Sequence, residues 1–199
     1  MSIQKNIALC LLLVTVVPDY ATYATKWIVL KDCTVLVNGS TNINKFTCSV
    51  PDYGSNDTLT CFRNDNGKVV LMKGALDIPV DGFDCGNAMM TKDLRKAIHS
   101  KIFPYLRIKF ISLQRYPALK VMQEEITGIV DIELAGITKQ LQVNYTISMD
   151  EKGIVCLRGS QNILFSYFGL VAPRKLGGMI KTNDRLDVVF TIHCRIINS

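Results

Sequence analysis

The sequence has few of the residues that form metal, nucleotide or nucleophilic sites. Only two histidines occur, His99 and His193, and no two cysteines form a C-x-x-C pair, so the ligand spacing of a zinc site is absent. No motif for phosphate binding or hydride transfer is present, and the stretch around Ser160 lacks the second glycine of the G-x-S-x-G esterase elbow. We therefore expect no catalytic residue, no metal ligand and no cofactor.

Proline and charged residues are also scarce. The 199 residues include 6 prolines, and 20% are charged whereas 48% are hydrophobic. Such a chain buries enough apolar surface to offset the entropy lost on ordering, which excludes a disordered or collagen-like protein. The formal charge of +6 falls short of that of a dedicated nucleic-acid binder, so we expect no nucleic-acid partner. The length suits one domain, or at most two very small ones.

No hydrophobic run is long enough to suggest a membrane-spanning helix. An apolar run at residues 7–17 is about half of the roughly 20 residues that a spanning helix needs. Its length fits the core of a secretory signal, with Lys5 before it and small residues at Thr22 and Ala24 for a signal peptidase. We predict a signal peptide over residues 1–24, with an uncleaved membrane anchor as the alternative. The protein is then exported, to a periplasm or to the extracellular medium.

Export changes the interpretation of the seven cysteines. Cys10 lies in the apolar run, which leaves an even number in the mature chain. In an oxidising compartment this set predicts up to three disulfides, and sequence alone leaves 15 connectivities open. Buried thiols are the alternative, because cysteine is frequently buried. The six candidates are Cys33, Cys48, Cys61, Cys85, Cys156 and Cys194.

Apolar and polar residues alternate with a period of two along the second half of the chain. The clearest run is 140–149, where Leu141, Val143 and Tyr145 are separated by polar residues. One buried face and one solvated face are typical of antiparallel strands. Similar runs occupy residues 106–110, 126–134 and 186–196, and less regular ones occupy residues 27–30, 33–38, 45–50, 58–63, 68–72 and 75–80.

Turns and a helix complete the pattern. Gly136 and residues 150–153 link alternating runs at hairpin distance, and residues 64–67 are a predicted tight turn. A helix is predicted over residues 92–101, with Thr91 as its cap. Long strands with one short helix leave two all-β architectures, a sandwich and a closed barrel, and connection mainly by hairpins favours the barrel. We expect an antiparallel up-and-down β-barrel of about eight strands with one or two short helices.

The strand pattern also suggests disulfide pairs. If residues 154–165 and 186–196 pair as successive strands, Cys156 and Cys194 lie nearly opposite each other, and this bridge is preferred. The other two predicted bridges are Cys48–Cys85 and, by elimination, Cys33–Cys61.

Six stretches of the chain match motifs of one known family in the right order. Residues 103–110 are similar to a YP-x-I-x-F strand, with Phe103 where a tyrosine is usual, and residues 128–139 are similar to the hairpin that follows it. The other stretches are residues 39–46, 83–94, 168–173 and 184–190. In these motifs the chain resembles the YceI-like family of exported, lipocalin-like barrels that bind polyisoprenoids or other long-chain lipids. The resemblance implies one barrel domain over residues 25–199.

The inward strand faces form the predicted binding site. Periodicity alone favours plain core packing for them, whereas the resemblance implies that they enclose a tunnel for an acyl or isoprenoid tail. The helix face and the aromatic segment 165–170 are expected either at the tunnel ends or as plugs. The candidate ligand-binding residues are Leu106, Ile108, Phe110, Val130, Ile132, Leu141, Val143, Tyr145, Val188, Phe190, Leu94, Ile98, Phe165 and Phe168.

We predict an exported, non-catalytic barrel that binds, sequesters or carries a long-chain apolar ligand such as a polyisoprenoid or fatty acid. A secreted structural or interaction domain with a filled core is the alternative, and a hydrolase has no support beyond scattered Ser, His and Asp residues. The dispersed basic residues predict a solvated surface, with transient membrane-surface contact as the alternative. The sequence fits a monomer or a homodimer.

Overall fold

The computed structural model describes residues 22–51, 57–64, 69–119 and 122–198. Within these ranges the first strands are β1 (Thr22–Val29), β2 (Thr34–Ser40), β3 (Lys45–Val50), β4 (Thr58–Asn64), β5 (Val70–Lys73) and β6 (Ala75–Pro79). The helix α1 (Ala88–Ala97) follows. The remaining strands are β7 (Tyr105–Leu113), β8 (Glu124–Leu134), β9 (Ile137–Met149), β10 (Ile154–Leu164), β11 (Arg174–Lys175), β12 (Ile180–Lys181) and β13 (Arg185–Asn198).

Eight antiparallel strands close into a barrel, as predicted. The ring runs β1-β4-β5-β7-β8-β9-β10-β13 and returns to β1, whose residues pair with the last part of β13. The predicted β8–β9 hairpin turns at Ala135 and Gly136, which both have positive φ, the conformation required by a two-residue type I′ turn. The all-β barrel fold is therefore correct.

The two ends of the barrel are built differently. At one end β1, β4 and β5 close the ring. At the other end β2 pairs with the first part of β13 and carries β3 beside it, while β6 pairs with the first part of β7. Among the described residues, the backbone pairing between the edge of β3 and the segment after β6 is a single two-residue bridge, Ser49 with Asp84. This second end therefore has a seam in its wall.

The end closed by β1, β4 and β5 has a solid core. Trp27 is fully buried there, and its ring meets the Tyr116 ring edge-on, with 6.2 Å between the centroids. Other buried side chains at this end are Val29, Leu59, Val70, Leu113, Ile126, Ile147, Val155 and Leu157. The apolar area that they remove from water is the main stabilising contribution at this end.

The helix begins earlier than predicted. Asn87, and not Thr91, is its N-cap, because the Asn87 side chain accepts hydrogen bonds from the backbone N–H groups of Met89 and Met90 at 3.0 and 3.1 Å. Thr91 lies inside α1, where its hydroxyl accepts a hydrogen bond from the Cys85 N–H. The described helices lack the length and apolarity that a membrane-spanning helix requires.

Some predictions fall partly outside the described residues. The predicted signal peptide lies outside them as far as residue 21, and residues 22–24 belong to β1, where they pair with β4. The predicted turn at residues 64–67 also lies outside them, apart from residue 64 at the end of β4.

Candidate ligand-binding cavity

The end of the barrel with the seam is hollow. The centre of a water-sized sphere can occupy about 110 Å³ inside it, whereas one water needs only about 10–15 Å³. Side chains from β2, β6, β7, β8, β9, β10 and β13 line it, together with Leu94 of α1 and Ile98, the residue that follows α1. Leu94 and Ile98 are four residues apart, so both lie on the side of the helix that faces the cavity.

Most of the predicted ligand-binding residues line this cavity. Leu141 and Phe168 do not. Leu141 is partly buried against the core, and Phe168 is fully buried in the segment after β10. The twelve that line it are Leu106, Ile108, Phe110, Val130, Ile132, Val143, Tyr145, Val188, Phe190, Leu94, Ile98 and Phe165.

About half of the residues that line the cavity lie outside the predicted set. Leu76 and Ile78 alternate with Asp77 in β6, a signal that the same period-two reasoning could have used. Val35 and Val37 in β2 are separated by Leu36, which is apolar and exposed, so alternation gives no signal there. The other missed residues are Cys33, Thr34, Phe83, Leu134, Gln161, Ile163, Leu164, Leu186, Thr191 and Ile192.

Two aromatic rings lie where the hollow end meets the solid core. Tyr145 and Phe190 pack edge-to-face, with 5.7 Å between their centroids. A β-carbon at Gly159 would lie 2.3 Å from the Phe190 ring, and one at Gly128 would lie 2.8 Å from the Tyr145 ring. Only glycine leaves room for these rings against the wall.

The cavity is almost entirely apolar. The polar side chains on its lining are Gln161, Thr34, Thr191 and the phenol of Tyr145. Burial raises the pKa of Tyr145 well above its ordinary value, so the phenol stays protonated at every physiological pH. Within the described ranges no three His, Cys, Asp or Glu side chains form a group that could hold a metal ion. This lining can exclude water from an apolar molecule, and it offers no ion pair to a charged one.

A second, larger depression adjoins the cavity on the outside. It has a volume of about 540 Å³ and lies between the β2–β3 hairpin, the start of α1 and the β11–β12 region. Four apolar side chains line both spaces and form the boundary between them: Val37, Leu94, Phe165 and Leu186. We refer to this depression as the mouth of the cavity.

One disulfide, Cys48–Cys85, is present among the described residues. It joins β3 to the segment between β6 and α1, beside the Ser49–Asp84 bridge, and so closes the seam covalently. This is the second of the predicted pairs.

The other two predicted disulfides are absent. Residue 156 pairs with His193, and Cys194 pairs with Val155, so the two sulfurs lie on opposite faces of the sheet. Cys33 and Cys61 are buried free thiols, Cys33 in the turn before β2 and Cys61 in β4. Burial raises the pKa of Cys61 to about 12 and that of Cys194 further still, so both remain neutral thiols.

Comparison with known proteins identifies the fold. No protein-family model and no curated protein matches the sequence. Solved structures do, among them BcnA from Burkholderia cenocepacia, with a TM-score of 0.60 and 12% identity over 83% of this chain and 96% of that one. A polyisoprenoid-binding domain from Saccharophagus degradans, implicated in plant cell wall breakdown, has a TM-score of 0.58 and 9% identity over 85% and 97%. At this identity the similarity concerns architecture alone, and the chain shares the barrel fold of these two proteins.

Proposed function

We propose that the protein is an exported, non-catalytic carrier that holds a long-chain lipid, such as a polyisoprenoid or fatty acid, in its cavity. The observation that carries this proposal is the enclosed apolar space at one end of an otherwise well-packed barrel. The similar domain from Saccharophagus degradans binds a polyisoprenoid, which supports the same class of ligand here. The Cys48–Cys85 disulfide fits an oxidising compartment outside the cytoplasm.

An empty apolar space costs stability. At ~24 cal/mol per Å³, a cavity of 110 Å³ costs about 2.6 kcal/mol. An apolar ligand removes this cost and adds roughly 0.8 kcal/mol for each CH₂ group that it buries. An engineered apolar cavity of about 150 Å³ stays dry and takes up benzene. The inner cavity of about 110 Å³ is smaller, so it suits a slender hydrocarbon tail. The mouth, at about 540 Å³, has room for the rest of the ligand.

A filled structural domain is the competing function. Its surface would carry the activity, and the interior would be packed throughout. The solid core around Trp27 fits that description at one end of the barrel, whereas the lining from Leu106 to Phe110 at the other end encloses space. The hollow end therefore favours ligand binding.

Native mass spectrometry of protein purified from its producing cell tests the proposal. We expect an adduct of lipid mass that organic extraction removes, and affinities of added fatty acids that rise about four-fold per CH₂ while the tail remains buried. Val188→Phe should fill the cavity and abolish retention. Val189→Phe is the matched control, because the next residue on β13 points away from the cavity. A bare polypeptide mass together with no uptake of fatty acid would contradict the proposal.

A further inference from the structure

Four large apolar side chains surround the cavity mouth and are exposed to solvent. Ile43 lies at the tip of the β2–β3 hairpin, Met89 in the first turn of α1, and Leu176 and Met179 between β11 and β12. Each is between 64% and 75% exposed. Three of them, all but Met179, line the depression itself. We refer to these four residues as the apolar rim.

Hydrogen bonds hold the parts of the apolar rim together. The side chain of Asn42 donates to the carbonyl oxygen of Met179 and accepts from the N–H of Lys181, each at 2.9 Å. This amide therefore ties the β2–β3 hairpin to the β11–β12 hairpin. Leu176 has a φ of 49°, which is unfavourable for a branched apolar residue. An exposed leucine is thus held in a costly conformation beside the mouth.

Positive charge accompanies the apolar rim. Arg174 and Lys181 are direct cross-strand partners on β11 and β12, and like charges in that arrangement repel each other. Neither forms a salt bridge within the described residues, and both are exposed. The nearby Asp93 carboxylate is occupied by Lys175 at 2.5 Å. These two cations therefore lack an anionic partner on the described part of the chain.

We propose that the apolar rim and the Arg174–Lys181 pair dock the protein on a lipid bilayer with anionic head groups, so that the cavity mouth faces the bilayer. Exposed apolar side chains flanked by cations are the combination that binds the interface of such a membrane. The inference rests on the proposed carrier function, since a tail that moves directly between bilayer and cavity avoids crossing water. Docking itself does not require a bound ligand.

Co-sedimentation with vesicles tests the charge contribution. We expect the purified protein to bind phosphatidylcholine vesicles that contain phosphatidylglycerol, and to bind pure phosphatidylcholine much more weakly. Neutralising each cation should weaken binding about five-fold, so Arg174→Gln with Lys181→Gln should weaken binding about 25-fold. Lys26→Gln with Lys109→Gln removes the same charge from the exposed faces of β1 and β7 and should change binding far less.

The apolar contribution is tested with a matched pair of methionines. Met179→Asp should abolish vesicle binding. Met122→Asp is the control, because Met122 is 81% exposed but lies just before β8, in the connection that follows the solid-core end of β7. Vesicle binding that is unchanged in both variants would overturn the proposal, and so would a loss of vesicle binding in both.

Two further outcomes separate docking from ligand binding. Protein that has not been extracted and that binds anionic vesicles with the expected variant pattern, but holds no lipid in mass spectra and takes up no fatty acid, supports docking and contradicts the carrier function. Protein that retains a lipid but binds neither type of vesicle contradicts docking alone. Dimerisation that Met179→Asp abolishes, without vesicle binding, would assign the rim to a second copy of the chain and overturn the proposal.

Discussion

Removal of the Cys48–Cys85 disulfide should destabilise the hollow end of the barrel selectively. Along the closed ring, neighbouring strands share ladders of backbone hydrogen bonds. Across the seam, the described backbone bonds are the two between Ser49 and Asp84, at 2.7 and 2.9 Å. The disulfide is thus the main restraint that keeps β3 beside the segment that precedes α1.

The magnitude follows from the loop that the disulfide closes. The two cysteines are 37 residues apart, and the chain-entropy relation gives about 13 cal/mol/K for that length, or about 3.8 kcal/mol at 25 °C. In a domain of this size such a loss lowers Tm by roughly 8–15 °C. Replacing both cysteines by alanine avoids placing new hydroxyl groups in a buried site, where Cys48 is fully buried.

Urea unfolding followed by circular dichroism, together with lipid retention, measures the effect. We expect Cys48→Ala with Cys85→Ala to lower the free energy of unfolding by about 3–4 kcal/mol and to release bound lipid. Cys156→Ala, which removes a partly exposed free thiol, should cost less than about 1 kcal/mol. A double variant that loses less than about 1 kcal/mol and keeps its lipid would refute the view that the seam depends on this bond.

Three other predictions test the assignment of faces and thiols. Phe110→Asp should unfold the protein or release its ligand, whereas Lys109→Asp on the exposed face of the same strand should do neither; equal damage in thermal melts would mean that the register of β7 is wrong. Gly159→Ala should cost about 1–3 kcal/mol and reduce lipid retention, because the new methyl group displaces the Phe190 ring into the cavity; unchanged stability and retention would contradict this. Alkylation of the folded protein followed by peptide mass spectrometry should label Cys156 before the three more deeply buried free thiols, and simultaneous labelling would argue against their burial.

The positions of the strands could be predicted from the sequence because one face of each strand is buried and the other is exposed to solvent. The residues Val143 and Tyr145 illustrate this, since both point inward as the alternation from 140 to 149 predicts. The first residue of the helix could not be predicted, because Asn87 and Thr91 are both suitable caps. The sequence does not show that the Thr91 hydroxyl accepts a hydrogen bond from the Cys85 N–H, while Asn87 accepts from the first turn of the helix.

Register between distant strands could not be read from the sequence. The strands β10 and β13 do pair, as the sequence analysis assumed, but the offset differs by one residue and separates Cys156 from Cys194. A hairpin fixes register through its turn, whereas the connection from residue 165 to 184 is long and irregular. One residue is enough to move a sulfur to the other face of the sheet.

The cavity results from the number of elements that form the barrel wall at this end, and it could not be predicted from the residues that line it. Bulky side chains such as Phe110 line the cavity, so small residues are not its cause. At this end β9 and β10 stop pairing beyond Asn144 and Ser160, and the segment 165–170 contributes the buried Phe165, Phe168 and Leu170. Among the described residues, the wall there contains eight strands (β2, β3, β6, β7, β8, β9, β10 and β13) plus this segment, whereas the wall at the solid end contains the eight strands of the closed ring. Because barrel diameter grows with the number of elements in the wall, the same alternating pattern closes on a packed core at one end and around a cavity at the other.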